Sequence, residues 1–291
     1  MRRLIFAANA IAAALSSAAA QGSQHLPVLR ARHLAPTADV KVFHVAGSIR
    51  LIGWDRDSIV VRGRVARGDG FYLAGGDSSV KFGIENRSGT RDPSPCDLVV
   101  YLPRQAHMAL KTVTANVTAS DLSGWFYSVS GNMHFSGSAT SLDAQTMSGD
   151  LDVDVTSPWV RARTGSGHLL LRGALQDVDV ATVSGRLDFA AAGVLRAQVV
   201  SVSGDIYYVG TPARGSIADF SNHSGAVEFS LPASASGVFT LSSVSGRIEN
   251  EFRQVRPAGS PAQGLRVTLG RGDSQVMVRT FKGAIRLKTQ P

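Results

Sequence analysis

Apolar and polar positions alternate along most of this chain, and the alternation recurs as a unit. The strings Val-Ser-Gly-Asn-Met-His-Phe (129–135), Met-Ser-Gly-Asp-Leu-Asp-Val (147–153), Val-Ser-Gly-Arg-Leu-Asp-Phe (183–189), Val-Ser-Gly-Asp-Ile-Tyr-Tyr (202–208) and Val-Ser-Gly-Arg-Ile-Glu-Asn (244–250) are variants of one pattern. Anchored on Gly131, Gly149, Gly167, Gly185, Gly204, Gly225 and Gly246, the spacings are 18, 18, 18, 19, 21 and 21. A last copy centred on Gly283 follows 37 residues later. Two residues after the anchors stand Met133, Leu151, Leu169, Leu187, Ile206, Val227, Ile248 and Ile285, all aliphatic. Five residues before them stand Ala144, Ala162, Val180, Val199, Phe220, Leu241 and Val278. Period-two alternation predicts half-buried strands, and the recurrent Ser-Gly breaks any helical stripe.

Each unit therefore reads as two short strands joined by turns. Two strands cannot bury their apolar faces alone, so the units are expected to stack about 4.8 Å apart around a common interior. The predicted fold class is all-β: a β-solenoid of 18–21-residue rungs with an irregular β N-terminal part. Each anchor glycine is expected to serve a positive φ or a tight contact at a corner, and the serine before it to act as the turn hydroxyl. Outward charges fit stacking, because Asp143, Arg161 and Asp179 alternate in sign, Arg186 should meet Asp205, and Asp154 should face Arg172. Upstream, Ile49, Leu51, Val117 and Ala119 take inward positions, with Gly53–Asp57 as a turn and Pro103 ending a strand from Asp97.

Residues 1–20 read as a secretory signal peptide. Arg2 and Arg3 precede an apolar stretch from Leu4 to Leu15 and the small run Ser16-Ser17-Ala18-Ala19-Ala20, with cleavage expected after Ala20. The stretch is too short and Ala-rich for a membrane anchor, and no transmembrane segment remains after its removal. Residues 21–35 are expected as an exposed leader, 36–108 as N-terminal strands with a loop-rich insertion at 66–96, and 109–291 as the repeat region. The expected location is exported, either periplasmic or at the cell surface or beyond.

Composition sharpens this picture modestly. Over 291 residues, 44% hydrophobic and 18% charged residues exclude a disordered chain, and the lone Cys96 excludes a disulfide framework and multi-Cys zinc sites. Losing Arg2 and Arg3 with the signal lowers the formal charge of +8 to +6, scattered rather than clustered. Export argues against nucleic acid as a ligand.

Gly47-Ser48-Ile49-Arg50-Leu51 with Gly53-Trp54-Asp55, the strand end Leu102-Pro103, the serial Ser-Gly-Asp/Arg-Ile/Leu units and the closing Thr280–Ile285 together resemble the bacterial putative-adhesin β-strand-repeat family. The resemblance covers roughly residues 36–288 and implies an exported β-solenoid of unknown function, with no catalytic residue supplied. Lys282 in place of a small polar residue and the charged insertion at 66–96 depart from that pattern.

Candidate chemistry is sparse. Asp150, Asp152 and Asp154 alternate on one strand face, which fits calcium or a carboxylate pair less well than a solvated strand whose acids pair with His168 and Arg172. The histidines lack metal-ligand spacing, with His134 and His168 outward and His223 in an inward slot. No Gly-x-Ser-x-Gly elbow or phosphate loop occurs. Arg67-Gly68-Asp69 and Arg271-Gly272-Asp273 spell an integrin-type tripeptide in turns, where Gly and Asp are expected anyway. Trp125 and Tyr127 flank Phe126 and point outward, either to stack on a sugar or, preferably, to cover the solenoid's amino-terminal end. Trp125, Tyr127 and Tyr207 are the candidate partner contacts; catalytic, cofactor and metal residues are not expected. The reading is a non-enzymatic exported scaffold or adhesin-like protein whose partner is an unidentified envelope or extracellular protein or glycan. The alternative is a solenoid enzyme acting on acidic polysaccharide through Asp150, Asp152 and Asp188.

Overall fold

In the computed structural model, residues 25–87, 89, 92–252 and 264–290 are described; the expected signal peptide and its cleavage site lie outside them. The described residues form 24 strands within one sheet and no helix. Parallel pairing lays each repeat unit on the next. Leu151 lies opposite Leu169, Leu169 opposite Leu187, Leu187 opposite Ile206 and Ile206 opposite Val227. On the other face Leu142, Val160, Val178, Ala197 and Ala218 form the matching column. A one-residue slip would turn every one of these side chains to water, so the apolar pattern selects this register.

The pairings make two ladders. The first runs from His25–His33 through Ser58–Ala66, Cys96–Pro103, Gly47–Trp54, Asn116–Ser120 and Met133–Ser138. The second starts with the hairpin Asp69–Gly75/Ser79–Asn86 and continues through Asp39–His44, His107–Thr112, Ser123–Ser128 and Leu142–Thr146. Two 14-residue strands, Leu151–Thr164 and Leu169–Thr182, run through both ladders and join them. Beyond these strands the ladders separate again, one taking Leu187–Ala192 and Ile206–Val209, the other Arg196–Ser201 and Ile217–Asn222.

Inward side chains of both ladders meet in one solenoid-like core. Leu151, Leu169, Leu171, Leu187 and Ile206 are all buried, each contributing about 1.5–3 kcal/mol by leaving water. Toward the carboxy-terminal end rings fill the space between the ladders, with Phe189–Tyr208 centroids 5.4 Å apart and Phe220–Phe229 4.8 Å apart.

Three expectations change here. Residues 25–33, read as an exposed leader, form a strand antiparallel to Ser58–Ala66. The insertion at 66–96 holds an ordered antiparallel hairpin. The copy around Gly283, last in sequence, is not last in space: Ile285 pairs with both Val227 and Ile248, so this unit lies between those of Gly225 and Gly246.

Of the two roles expected for the anchor glycines the corners use the tight contact, and the turn hydroxyl comes from a different residue than expected. At Gly131, Gly149, Gly167 and Gly185 the φ angle is not positive; a Cβ there would strike the carbonyl oxygen of the neighbouring coil at 1.8–2.2 Å. The glycines are therefore required by close backbone approach. The turn hydroxyl belongs to the residue three before each glycine: Ser128, Thr146, Thr164 and Thr182 are buried and accept the glycine N–H at 2.8–3.1 Å. The serine before the glycine instead donates across to the adjacent coil, Ser148 to the Val129 carbonyl at 3.4 Å and Ser203 to Val183 at 3.1 Å.

Candidate interaction surface

Trp125 and Tyr127 stand on the outward side of Ser123–Ser128, because Phe126 between them turns into the core. Their ring centroids are 5.9 Å apart with planes within 10°, and the Lys111 ammonium lies 5.9 Å from the Tyr127 ring centre. Trp125 is opposite Ala109 on one side and Asp143 on the other, while Tyr127 lies between Lys111 and Gln145. The Gln145 amide donates to Asp143 at 2.8 Å, and the Arg161 guanidinium lies 3.7 Å from Asp143 and 3.1 Å from Asp179. Two nearly parallel aromatic rings thus sit on an outer sheet face beside planar hydrogen-bonding groups.

This surface does not cap the amino-terminal end. Four further strands, His107–Thr112, Asp39–His44, Ser79–Asn86 and Asp69–Gly75, continue the ladder beyond it. The expectation failed because those strands are not part of the Ser-Gly period. Tyr207 stands apart on the other ladder, with the Arg186 guanidinium 4.1 Å from its ring centre and Asp188 and Glu228 opposite it.

The carboxylates are spent on neighbouring units. Asp152 lies 2.9 Å from Arg172 and 3.1 Å from His134; Asp154 lies 3.8 Å from Arg172, as the alternation predicts. Arg186 pairs with Asp188 at 2.7 Å, within its own unit, rather than with Asp205, which accepts the Ala226 N–H at 2.8 Å. His168 adds a 2.5 Å contact to Asp188. Burial pulls the Asp188 pKa up, but hydrogen bonds from Arg186 and His168 outweigh it and hold the carboxyl below its ordinary value. A general acid of a glycosidase needs the opposite shift. Among the described residues, three or more His, Cys, Asp or Glu side chains nowhere gather as metal ligands.

The remaining candidates find structural partners. Asp69 of the first Arg-Gly-Asp is buried and accepts from the Asn86 amide at 2.9 Å and the Ser94 N–H at 2.8 Å. Asp273 of the second accepts from Ser236 at 3.2 Å. His223 is exposed rather than inward, stacked on Phe281 with centroids 5.1 Å apart. Cys96 is a buried thiol 4.0 Å from His44, its pKa pushed up to about 11, chiefly by burial. Burial likewise lowers the His44 pKa, against hydrogen bonds and Asp97 that raise it.

One concavity escaped the sequence. An open groove of about 860 Å³ crosses the corner opposite the glycines, lined by Trp54, Arg56, Arg104, His107, Asp121 and Pro158 among others. Arg104 bridges Asp55 at 2.9 Å and Asp121 at 3.3 Å, and Asp121 has a φ of +54°. Its lining residues come from six segments of the chain, from Pro36 to Pro158.

Stacked parallel strands with internally neutralised outer faces define the class: an all-β, solenoid-like protein of the repeat type. The chain belongs to the Toastrack DUF4097 family, whose model matches residues 96–288. Its fold is similar to that of a "putative lipid binding protein" from Parabacteroides distasonis, with 13% identity, a TM-score of 0.53, and 90% of this chain and 96% of that one covered. A "putative adhesin" from Parabacteroides merdae matches at 11% identity and a TM-score of 0.47, covering 91% of this chain and 97% of that one. A "putative adhesin" from Bacteroides fragilis matches at 13% identity and a TM-score of 0.42, covering 90% and 97%. No curated protein matches the sequence. Among the described residues, no helix is long and apolar enough to cross a membrane.

Proposed function

We propose that the chain is a non-enzymatic, exported β-solenoid scaffold whose 18–21-residue rungs present flat ladder faces to an envelope or extracellular partner. In this reading residues 1–20 direct export and are removed, and the product works in the periplasm or at the cell surface. The observation that carries it is the state of the outer carboxylates. Asp143, Asp152, Asp179 and Asp188 are each held by an arginine of a ladder, and Trp125 is left exposed beside the half-buried Tyr127 on an outer face. A hydrolytic site needs two free carboxyls converging on one bond; a sign-alternating ladder consumes them.

The contact patch is Trp125 and Tyr127, with a glycan or a protein loop lying across their rings and hydrogen-bonding to Gln145 and Arg161. Tyr207 would be a separate contact on the opposite ladder. Truncating a buried aromatic anchor at an interface typically costs about 2 kcal/mol or more. Binding of the mature protein to an envelope extract and a glycan array is therefore expected to fall about 30-fold in Trp125→Ala/Tyr127→Ala, with unchanged thermal stability. Binding that is indifferent to both rings would refute the patch. Turnover of an acidic polysaccharide that disappears in Asp152→Asn would refute the non-enzymatic reading.

A further inference from the structure

The groove at the corner opposite the glycines holds chemistry that the stacking of the coils does not use. Ion pairs and hydrogen bonds tie its walls together. The Arg104 guanidinium bridges Asp55 and Asp121, the Arg104 main-chain N–H donates to the Trp54 carbonyl at 3.1 Å, and the Ser138 N–H donates to Asp121 at 3.0 Å. Elsewhere in the lining, Ser123 accepts the Thr140 N–H at 2.8 Å and the Thr140 hydroxyl at 2.9 Å. The Trp54 indole N–H donates to the Ser58 carbonyl at 2.9 Å, and the Tyr101 ring packs beside it with centroids 5.2 Å apart. A concavity of about 860 Å³, within the size range of ligand sites, is therefore walled by side chains already held in place.

Other lining groups take no part in this frame. Asp57, Gln105 and His107 are exposed, and their side chains have no hydrogen-bond or ion-pair partner among the described residues. Arg56 likewise has no acid partner there, and its guanidinium lies 5.2 Å from the centre of the Trp54 ring. Arg104 is neutralised by Asp55 and Asp121, so the groove offers a ligand one carboxylate, one guanidinium, an imidazole and an amide. Donors and acceptors are balanced, and neither a polyanion nor a polycation finds a complementary excess of charge. A strand edge is also missing. Gly47–Trp54 lies between Cys96–Pro103 and Asn116–Ser120, and His107–Thr112 between Asp39–His44 and Ser123–Ser128, so an extended peptide has no free ladder to join. An uncharged polyhydroxyl chain meets these conditions, because its hydroxyls donate to a carboxylate and accept from a guanidinium while its C–H face lies on an indole.

The groove also runs into the aromatic patch. Ser123 in its lining begins the strand that carries Trp125, two residues or roughly 7 Å further on, and His107 begins the adjacent strand that places Ala109 and Lys111 opposite Trp125 and Tyr127. From this continuity and the balanced polar lining, we infer that the groove is a carbohydrate subsite that takes a neutral oligosaccharide. One sugar ring lies on Trp54, and the chain continues along Ser123–Ser128 over Trp125 and Tyr127; only this second part rests on the glycan reading of the aromatic patch. The ring on Trp54 takes the place of the Arg56 guanidinium, whose exposed cation–π contact is weak. Arg56 is then free to donate to sugar hydroxyls alongside Asp57 and His107.

The test is a glycan array read with the mature protein, followed by calorimetric titration with the neutral trisaccharide and hexasaccharide of the best-retained series. Hexagalacturonate and a proline decapeptide serve as the anionic and peptide competitors. The hexasaccharide is expected to bind more tightly than the trisaccharide, and neither competitor to displace it. Asp57→Ala/His107→Ala removes two exposed side chains that the fold does not use, and should weaken both saccharides about 10-fold. Trp54→Ala should weaken them at least as much, with a melting curve to separate lost binding from lost folding. Trp125→Ala/Tyr127→Ala should weaken the hexasaccharide and leave the trisaccharide unchanged. Three results would overturn the proposal: no neutral glycan retained on the array, saccharide binding indifferent to Asp57→Ala/His107→Ala, or displacement of the saccharide by either competitor. A trisaccharide that depends on the groove, with no gain from the longer chain, would refute the path over the aromatic patch and keep the groove. Loss of hexasaccharide binding in the aromatic variant alone would keep the patch and refute the groove.

Discussion

Gly185→Ala tests the stacking of the coils most directly. Gly185 does not have a left-handed φ, so alanine adds no backbone strain of its own. The added Cβ would lie 1.8 Å from the Gly167 carbonyl oxygen and 2.8 Å from its carbon, both backbone atoms that no rotamer change can move. The two coils must part by more than roughly 1 Å before the contact is tolerable. Two hydrogen bonds join the coils at this corner, Ser184 N–H to Gly165 at 2.9 Å and Leu169 N–H to the Arg186 carbonyl at 2.9 Å, and a third, Gly185 N–H to Thr182 at 3.0 Å, holds the turn that the displaced glycine must distort. At about 1 kcal/mol each, plus a comparable loss of packing and less the 0.4–1 kcal/mol that alanine recovers through the unfolded chain, the expected cost is about 3–4 kcal/mol. Gly76→Ala is the control, since nothing lies within 4 Å of the Cβ it would add. Urea denaturation followed by circular dichroism and by tryptophan fluorescence measures both. A Gly185→Ala cost below about 1 kcal/mol would refute the close backbone approach.

Two further outcomes follow from the outer and inner polar groups. Thr164→Val removes a buried hydroxyl that accepts the Gly167 N–H at 3.1 Å and donates to the Gly149 carbonyl at 3.3 Å, and should destabilise by about 1–3 kcal/mol in urea melts while Thr164→Ser retains most of the stability. Asp188 has a lowered folded pKa, so its contribution is present above the unfolded carboxyl value and is lost as pH falls through the folded one. Asp188→Asn should therefore destabilise at pH 7, and the gap to wild type should close below about pH 4; a gap independent of pH would show that the ion cluster contributes nothing.

The repeat was legible because burial imposes a strict rule on it. Positions such as Leu151, Leu169 and Leu187 face the interior of adjacent coils, so each had to be aliphatic and at a constant distance from the next. The same rule makes Asp143, Arg161 and Asp179 readable as a ladder, since like charges in register repel. The groove at Trp54 and Asp121 was not legible, because it forms only where corners of the repeat around Asp121, Ser138 and Pro158 meet segments outside the repeat, from Pro36, Trp54 and Arg104.

What the sequence determined by itself is therefore the period, the inward columns of the repeat strands and the family. Tertiary structure decided what a period cannot express. A spacing of 37 residues does not say which neighbour the Gly283 unit joins; free strand edges on both the Gly225 and Gly246 units allowed it to lie between them. A recurring glycine does not say whether φ or space requires it; the carbonyl of the adjacent coil answers for space. Nor does an outward tryptophan say whether it stands at an end, because strands outside the repeat extended the ladder past it. In each case the deciding contact joins segments distant along the chain, and only the folded backbone brings them within range.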